Sequence, residues 1–324
     1  MKIHFLHNYG KEFKALLKKD IPEQIEIDFG ELTENRDVEI IVGGRPTETD
    51  IKSCKKLKKL IIPYAGISKK TKKVMKKYPD IDVHNLHHNS LSVAEYAATF
   101  MLSAAKDIIP AHELLKKDNW RIRYGKNPSL FIAGKNVLLL GFGEIARNFI
   151  EFTGGMRLNY LAVNHSGINR TELKVKVYPV NELKQAIPQA DFIICTLPLT
   201  SETKGLFKKR EFKLMKKTAI LVNEETKKIF KEEDLYYALE NNFFKAAYFD
   251  VWYNYPRGKE EQSNCKPTNL DFSKLSNFYF SPHRASGLGI PRLEEMRTQK
   301  LIEYFNLYLQ NKELPHKVDL EKGY

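Results

Sequence analysis

The hexapeptide Gly141-Phe142-Gly143-Glu144-Ile145-Ala146 has the residue types and spacing to hold a pyrophosphate. Gly141 permits a tight turn, Gly143 lets a phosphate approach the backbone, and Ala146 is small enough for close helix–sheet packing. Four apolar residues, Val137-Leu138-Leu139-Leu140, lead into it and an amphipathic stretch follows. The segment therefore reads as strand, turn and helix N-terminus, the last presenting free N–H groups to an anion. A second candidate is the tract Asn223-Glu224-Glu225-Thr226-Lys227-Lys228, which follows the apolar run Ala219-Ile220-Leu221-Val222 without a turn signal. In a parallel sheet such a tract stands at the carboxyl end of a strand, where open α/β sheets bind ligands. It admits two readings, a catalytic loop and a solvated loop tip.

The elements that must position these residues follow a βαβ alternation. Strands are expected at Met1–Leu6, Glu39–Val42, Leu60–Pro63 and Ile81–His84, with helices at Glu12–Lys19, Thr47–Leu57 and Ser68–Lys77 between them. A small parallel sheet with right-handed crossovers results. A long helical stretch from Ser90 to Lys117 carries Ser92 and Glu95 at capping-box spacing. After a polar crossover the alternation restarts, with strands at Val137–Leu140, Tyr160–Val163, Phe192–Leu197, Ala219–Val222, Ala246–Val251 and Phe278–Phe280. Helices are expected near Val180–Ala186, Lys208–Met215 and Lys231–Glu240, and a final helix at Pro291–Asn311. The strand after the glycine turn leads into Asn164-His165-Ser166, where an NAD-preferring site presents an acid to the adenosine ribose. No acid stands there, and His165, Ser166 and Arg170 could meet a 2′-phosphate, so NAD and NADP both stay open.

The 324 residues suffice for two domains, or for one large α/β domain with a substantial core. The net charge of +13 comes from 53 Lys+Arg against 40 Asp+Glu. Its lysine runs are scattered and lack interleaved aromatics, so solvated helix faces are expected rather than a nucleic-acid surface. The N-terminus has no apolar core of a secretory leader, and no apolar run approaches the roughly 18 residues of a membrane span. Cys54, Cys195 and Cys265 are widely spaced and form no metal pattern, so no metal is expected. Cys195, inside Phe192-Ile193-Ile194-Cys195, reads as a small core residue, and a reducing cytoplasm fits.

Over nearly its full length the chain resembles the D-isomer-specific 2-hydroxyacid dehydrogenases. The matching segments occur in order: YAGIS, HHNSLSVAEYAATFML, GKNVLLLGFGEIA, ADFIICTLPLTSETKGLF, AILVN, AAYFDVW and SPHRASG. The resemblance implies an α/β fold of two Rossmann/flavodoxin-like domains with parallel sheets. The NAD(P)-binding domain, 96–289, would be inserted into a discontinuous substrate domain, 1–95 plus 290–324. It implies hydride transfer between nicotinamide and a small 2-keto or 2-hydroxy acid, in a homodimer. Cofactor contacts are implied at Gly141 to Ala146, Asn164, His165, Ser166, Thr196, Leu197, Pro198, Thr203, Val222, Asn223, Asp250 and His283. Substrate contacts are implied at Tyr64, Ala65, Gly66 and Asn89.

In that family a histidine exchanges a proton with the substrate oxygen, a glutamate keeps the histidine protonated, and an arginine clamps the carboxylate. The histidine is His283, in Ser281-Pro282-His283. The glutamate's position, before the proline that follows DVW, holds Tyr255, which carries no charge at neutral pH. The arginine's position, three residues after Asn223, holds Thr226, which cannot form a bidentate cationic clamp. Loss of one preorganised charge typically costs about 10²–10³-fold in rate. Lys227, Lys228, Arg284, Arg121 and Arg123 are the candidate substitutes in sequence. The departures keep a second implication open, a catalytically impaired NAD(P)-binding sensor or scaffold.

Overall fold

The computed structural model describes residues 1–32, 37–125, 129–225, 227–287 and 289–323. Two compact units divide the chain: Met1–Asn89 with Gly287–Tyr324, and Ser90–Ser286. The first break precedes the helix Ser90–Ala105 instead of cutting it at residue 95. Ala94, Ala97, Ala98 and Met101 of that helix are all buried against the second unit's sheet, which keeps the helix in one piece with it.

Unit 1 holds a five-stranded parallel sheet of β1 (Lys2–Phe5), β2 (Glu26–Phe29), β3 (Ile40–Val42), β4 (Lys59–Ile62) and β5 (Asp82–Asn85), in the order β2-β1-β3-β4-β5. Side chains alternate between faces along a strand, so each face collects its own core. Ile3, Phe5, Ile40 and Val42 meet Phe13 and Leu17 of the helix Lys11–Asp20 and Leu301, Tyr304 and Phe305 of the helix Pro291–Leu309. Ile41, Leu60 and Ile62 face Ile51, Val74 and Met75 on the other side. Each such fully buried large apolar side chain contributes about 1.5–3 kcal/mol. This is how a C-terminal helix joins a fold begun at residue 1. The helix expected over Thr47–Leu57 spans only Glu48–Lys52, capped by Thr47 and ended at Ser53, whose hydroxyl donates to Thr49 O.

Unit 2 holds seven parallel strands: β6 (Asn136–Leu140), β7 (Asn159–Asn164), β8 (Lys176–Pro179), β9 (Phe192–Cys195), β10 (Ile220–Asn223), β11 (Ala246–Phe249) and β12 (Phe278–Phe280). Their order is β12-β11-β10-β9-β6-β7-β8. The chain moves outward from β6 to β8, crosses back, and moves outward again from β9 to β12. The strand order thus reverses between β6 and β9, which is where such sheets open a binding crevice at their carboxyl ends. Cys195 is fully buried, and burial pushes its thiol up, so it remains a protonated core residue.

Two expected features differ. Ser92 is no cap: the helix starts at Ser90, and Ser92 Oγ donates to Ala285 O at 2.9 Å. The continuous helix expected from Ser90 to Lys117 breaks at Asp107, which takes a left-handed φ of 52° and pairs with Lys245 before the helix Ile108–Leu115.

Candidate active site

Gly141 directly follows β6 with φ +103°, and a Cβ there would stand 2.9–3.0 Å from Thr196 Oγ1, C and O. Only glycine fits that backbone and that approach. Gly143 is the N-cap of the helix Glu144–Thr153, no side chain caps it, and a Cβ there would meet nothing within 4 Å. Its first-turn N–H groups are therefore left without a side-chain cap, as a pyrophosphate site requires. Ala146 is fully buried, Phe142 packs partly on the core, Ile145 is partly buried, and Glu144 pairs with Arg147 on the helix flank. The residues present fit a dinucleotide phosphate.

At the end of β7, Asn164 is committed to its own turn: Oδ1 accepts from Gly167 N at 2.6 Å and Nδ2 donates to Ile168 O at 2.9 Å. Ser166 Oγ accepts from Ile168 N at 3.4 Å. His165 is exposed, with Nδ1 3.4 Å from Glu202 Oε2. Glu202 comes from the loop after β9, 37 residues further along the chain, so the strand end alone does not announce this acid. In that loop Leu197 is buried, and Thr203 is a buried brace: its Oγ1 donates to Pro198 O at 2.7 Å and accepts from Thr200 N at 2.8 Å.

The carboxyl end of β10 carries the acidic tract. Val222 and Asn223 are buried, and Glu224 is 6% exposed, so the solvated-tip reading does not describe Glu224. Glu224 N donates to Cys195 O at 3.4 Å, while both its carboxylate oxygens and Asn223 Nδ2 have no partner among the described residues. Burial, then the nearby Asp250 and Glu225, raise the Glu224 carboxyl well above the usual range. Burial pushes the partly buried Glu225 up to about 7. Thr226 lies outside the described residues. Of the candidate substitutes, Lys228, Arg284, Arg121 and Arg123 are exposed.

Asp250, at the end of β11, is the opposite case. It is fully buried; Oδ1 accepts from Ser281 Oγ and from Arg284 N at 2.9 Å, and Oδ2 accepts from Ala285 N at 2.8 Å. Its own N–H donates to Asn223 O at 3.1 Å, tying β10 to the turn after β12. Trp252 Nε1 donates to Ser281 O at 2.7 Å, and Tyr96 Oη lies 3.1 Å from Ser281 Oγ. The turn braced in this way holds His283 exposed at φ +57°, a left-handed conformation that costs a non-glycine residue about 1–2 kcal/mol.

Tyr255 does reach the histidine, with ring centroids 5.4 Å apart at 52°. Its hydroxyl accepts from Trp252 N at 3.1 Å and is raised by burial, so it stays neutral. The histidines paired with carboxylates among the described residues are His4, His112 and His165. A cavity of about 500 Å³ lies along Tyr253–Lys266 and includes Tyr255, but neither the glycine turn nor His283 lines it.

In unit 1, Tyr64, Ala65 and Gly66 form an exposed loop after β4, with Gly66 at φ +79°. Tyr64 Oη lies 1.6 Å from where a Cβ on Gly44 would be, so the tyrosine ring uses the space that glycine leaves. Asn89 is partly buried beyond β5. Close by in the sequence, His88 is buried, and its Nε2 lies 3.4 Å from Arg297 Nε on the C-terminal helix. Neither His88 nor Arg297 stood out in the sequence, since 209 residues separate them.

Residues 98–285 match the family described as D-isomer specific 2-hydroxyacid dehydrogenase, NAD binding domain. A glyoxylate reductase of Thermococcus gammatolerans is 30% identical over 226 residues, covering 66% of this chain and 63% of that protein. A D-3-phosphoglycerate dehydrogenase of Methanocaldococcus jannaschii is 26% identical over 254 residues, 78% of this chain and 46% of the relative. The chain thus spans less than two thirds of the length of these relatives. Among solved structures, a D-isomer specific 2-hydroxyacid dehydrogenase from Xanthobacter autotrophicus Py2 in complex with NADPH and MES has a TM-score of 0.81. It is 18% identical, with 100% of this chain and 99% of that one covered, and shows the same fold. The chain belongs to the D-isomer specific 2-hydroxyacid dehydrogenase family.

Proposed function

We propose that this chain is an NAD(P)-dependent oxidoreductase that moves a hydride between nicotinamide and a small 2-keto or 2-hydroxy acid. The observation that carries the reading is His283, held in a left-handed conformation on a turn braced by Asp250, in the same sheet as an obligatory Gly141 and an uncapped helix N-terminus. Strain maintained by several independent bonds marks a position whose geometry matters more than its stability.

Gly141, Gly143 and the first turn of Glu144–Thr153 hold the pyrophosphate, with Phe142 beside it. Asn164, His165, Ser166 and Glu202 border the adenosine ribose, and Thr196 to Pro198, Val222, Asn223 and Asp250 border the nicotinamide. The bound nicotinamide supplies or accepts the hydride. His283 gives a proton to the carbonyl oxygen in reduction and takes it from the hydroxyl in oxidation. Tyr255 packs against the imidazole but, being neutral, does not hold it protonated. Backbone N–H groups of Tyr64-Ala65-Gly66, with Asn89, orient the substrate. Exposed Glu202 beside His165 favours NAD, since a 2′-phosphate there would meet a carboxylate. The active species is a homodimer, on the strength of the family resemblance, and light scattering checks it. Among the described residues no helix is long and apolar enough to cross a membrane.

A second reading draws on Glu224: a buried carboxyl with no partner among the described residues, on the tract beside the family's arginine position, fits a cofactor-binding protein whose turnover is impaired. Cofactor binding and turnover on a 2-keto acid panel, with glyoxylate first because of the named relatives, decide between them. Under the first reading the chain turns over slowly, Thr226→Arg raises the rate about 10²-fold, and His283→Asn removes it with cofactor binding intact. Cofactor binding without turnover in either protein favours the second.

A further inference from the structure

Residues 250–277 join β11 to β12, a far longer span than the usual connection of about 4–6 residues. The loop is nonetheless pinned along its length. Buried Glu232 accepts from Asn269 N and Asn269 Nδ2 at 2.6 Å and from Leu270 N at 3.1 Å. Asn254 N donates to Pro267 O at 2.9 Å, closing the two arms on each other, and Tyr253 Oη donates to Phe230 O at 3.1 Å. A long loop fixed in this way carries function more often than it merely connects.

The cavity of about 500 Å³ lies along this loop. The Tyr253 hydroxyl is turned to Phe230 O and the Tyr255 hydroxyl to Trp252 N, so both give the cavity mainly their rings. Glu261 Oε2 accepts from Arg257 N at 2.8 Å. The exposed side chains of Arg257 and Lys266 pair with no carboxylate among the described residues. The cavity thus presents two cations against one carboxylate. Its wall at Tyr255 also faces the histidine, with the two ring centroids 5.4 Å apart, and all of these residues belong to unit 2.

We propose that this cavity takes the distal anionic group of the substrate, with Arg257 and Lys266 as specificity-determining residues. The chain then prefers a 2-keto acid carrying a second carboxylate to one with an apolar tail. Arg257 offers a planar fork that matches a carboxylate edge, and Lys266 adds a point charge. The inference rests on the 2-keto acid reading above and names the substrate class for it.

The probes are 2-oxoglutarate and 2-oxopentanoate, in which a methyl group replaces the distal carboxylate. Calorimetry on the full chain measures their binding, and their reduction is then followed with NADH and NADPH. Wild type binds 2-oxoglutarate the more tightly. Arg257→Gln and Lys266→Gln each lower the ratio of the two affinities about threefold, and the double variant lowers it about tenfold. Glu261→Gln, which keeps an acceptor for Arg257 N, raises the ratio about twofold. All three side chains are exposed, so the variants fold. Equal affinity for the two acids in wild type, a ratio untouched by the substitutions, or failure of both acids to bind overturns the assignment. Binding that follows the two cations, without reduction of either acid, keeps the pocket and counts against the oxidoreductase. Reduction of both acids with one rate ratio in wild type and variants does the reverse.

Discussion

The two parallel sheets end in opposite chemistry. At the carboxyl edge of unit 2, Glu224 is buried with two carboxyl oxygens and no donor among the described residues. At the carboxyl edge of unit 1, His88 accepts from the cation Arg297 through Nε2, and its buried Nδ1–H has no acceptor among the described residues. Asp250 shows that unit 2 can satisfy a buried carboxylate completely, since hydroxyl and backbone donors converge on it. Glu224 thus departs from what the neighbouring strand of the same sheet achieves. Burial without a partner is costly wherever it occurs, so each such group points to a ligand or to lost selection.

The sharpest way to break the comparison is to make Asp250 resemble Glu224. Asp250→Ala strands the N–H groups of Arg284 and Ala285 and the hydroxyl of Ser281 in a buried turn. Each hydrogen bond to a charged group contributes about 1.5–3 kcal/mol, so a loss of about 3–5 kcal/mol is expected in denaturant unfolding. Relaxation of His283 out of its left-handed conformation would follow, removing turnover as completely as His283→Asn does. Full stability in the variant would mean that the turn is held by Trp252 and Ser92 instead.

Much of this arrangement was legible in the sequence because sterics write it locally. Gly141 and Ala146 are dictated by close approach, and β6, β9, β10 and β11 are continuous apolar runs because both faces are covered. The edge strands β2 and β8 were not legible: Glu26–Phe29 and Lys176–Pro179 are half exposed and carry no such run. Missing β8 also made β10 look like the fourth strand of its sheet when it is the fifth in chain order. Ser92 and Glu95 imitate a capping box, but Ser92 bonds the carbonyl of Ala285, a partner no local pattern can announce. Asp250 was legible as a site position, yet its bracing of the histidine turn needed the fold. His88 and Arg297 depended on a contact closed by the C-terminal helix.

Because one edge lacks a donor and the other an acceptor, the two should respond to pH in opposite senses. His88 is held down to about 4 from 6.5, mainly by burial and then by Arg297 and His87. Its folded form resists protonation more than the unfolded chain does. Its contribution to stability is present above pH 6.5 and is lost as pH falls toward 4. His88→Gln should flatten the wild-type decline over that window in urea unfolding at stepped pH. An unchanged slope would place the acid sensitivity elsewhere.

Glu224 gives the smaller effect and the reversed sign. Its folded carboxyl is raised well above 4.5, so the folded state holds its proton more tightly than the unfolded chain does. Stability associated with this group is present below pH 4.5 and declines as pH rises through the raised value. Glu224→Ala removes two unpartnered oxygens, and it should stabilise the protein near neutrality by about 1–3 kcal/mol, less the cost of the small cavity it leaves. The gain should shrink as pH is lowered to 4.5, where the acid is neutral in both states. If bound NAD(P)H abolishes the gain, the cofactor supplies the donor that Glu224 lacks. A gain that persists in saturating cofactor would mark Glu224 as a carboxyl whose burial serves no ligand, and would strengthen the impaired reading of unit 2.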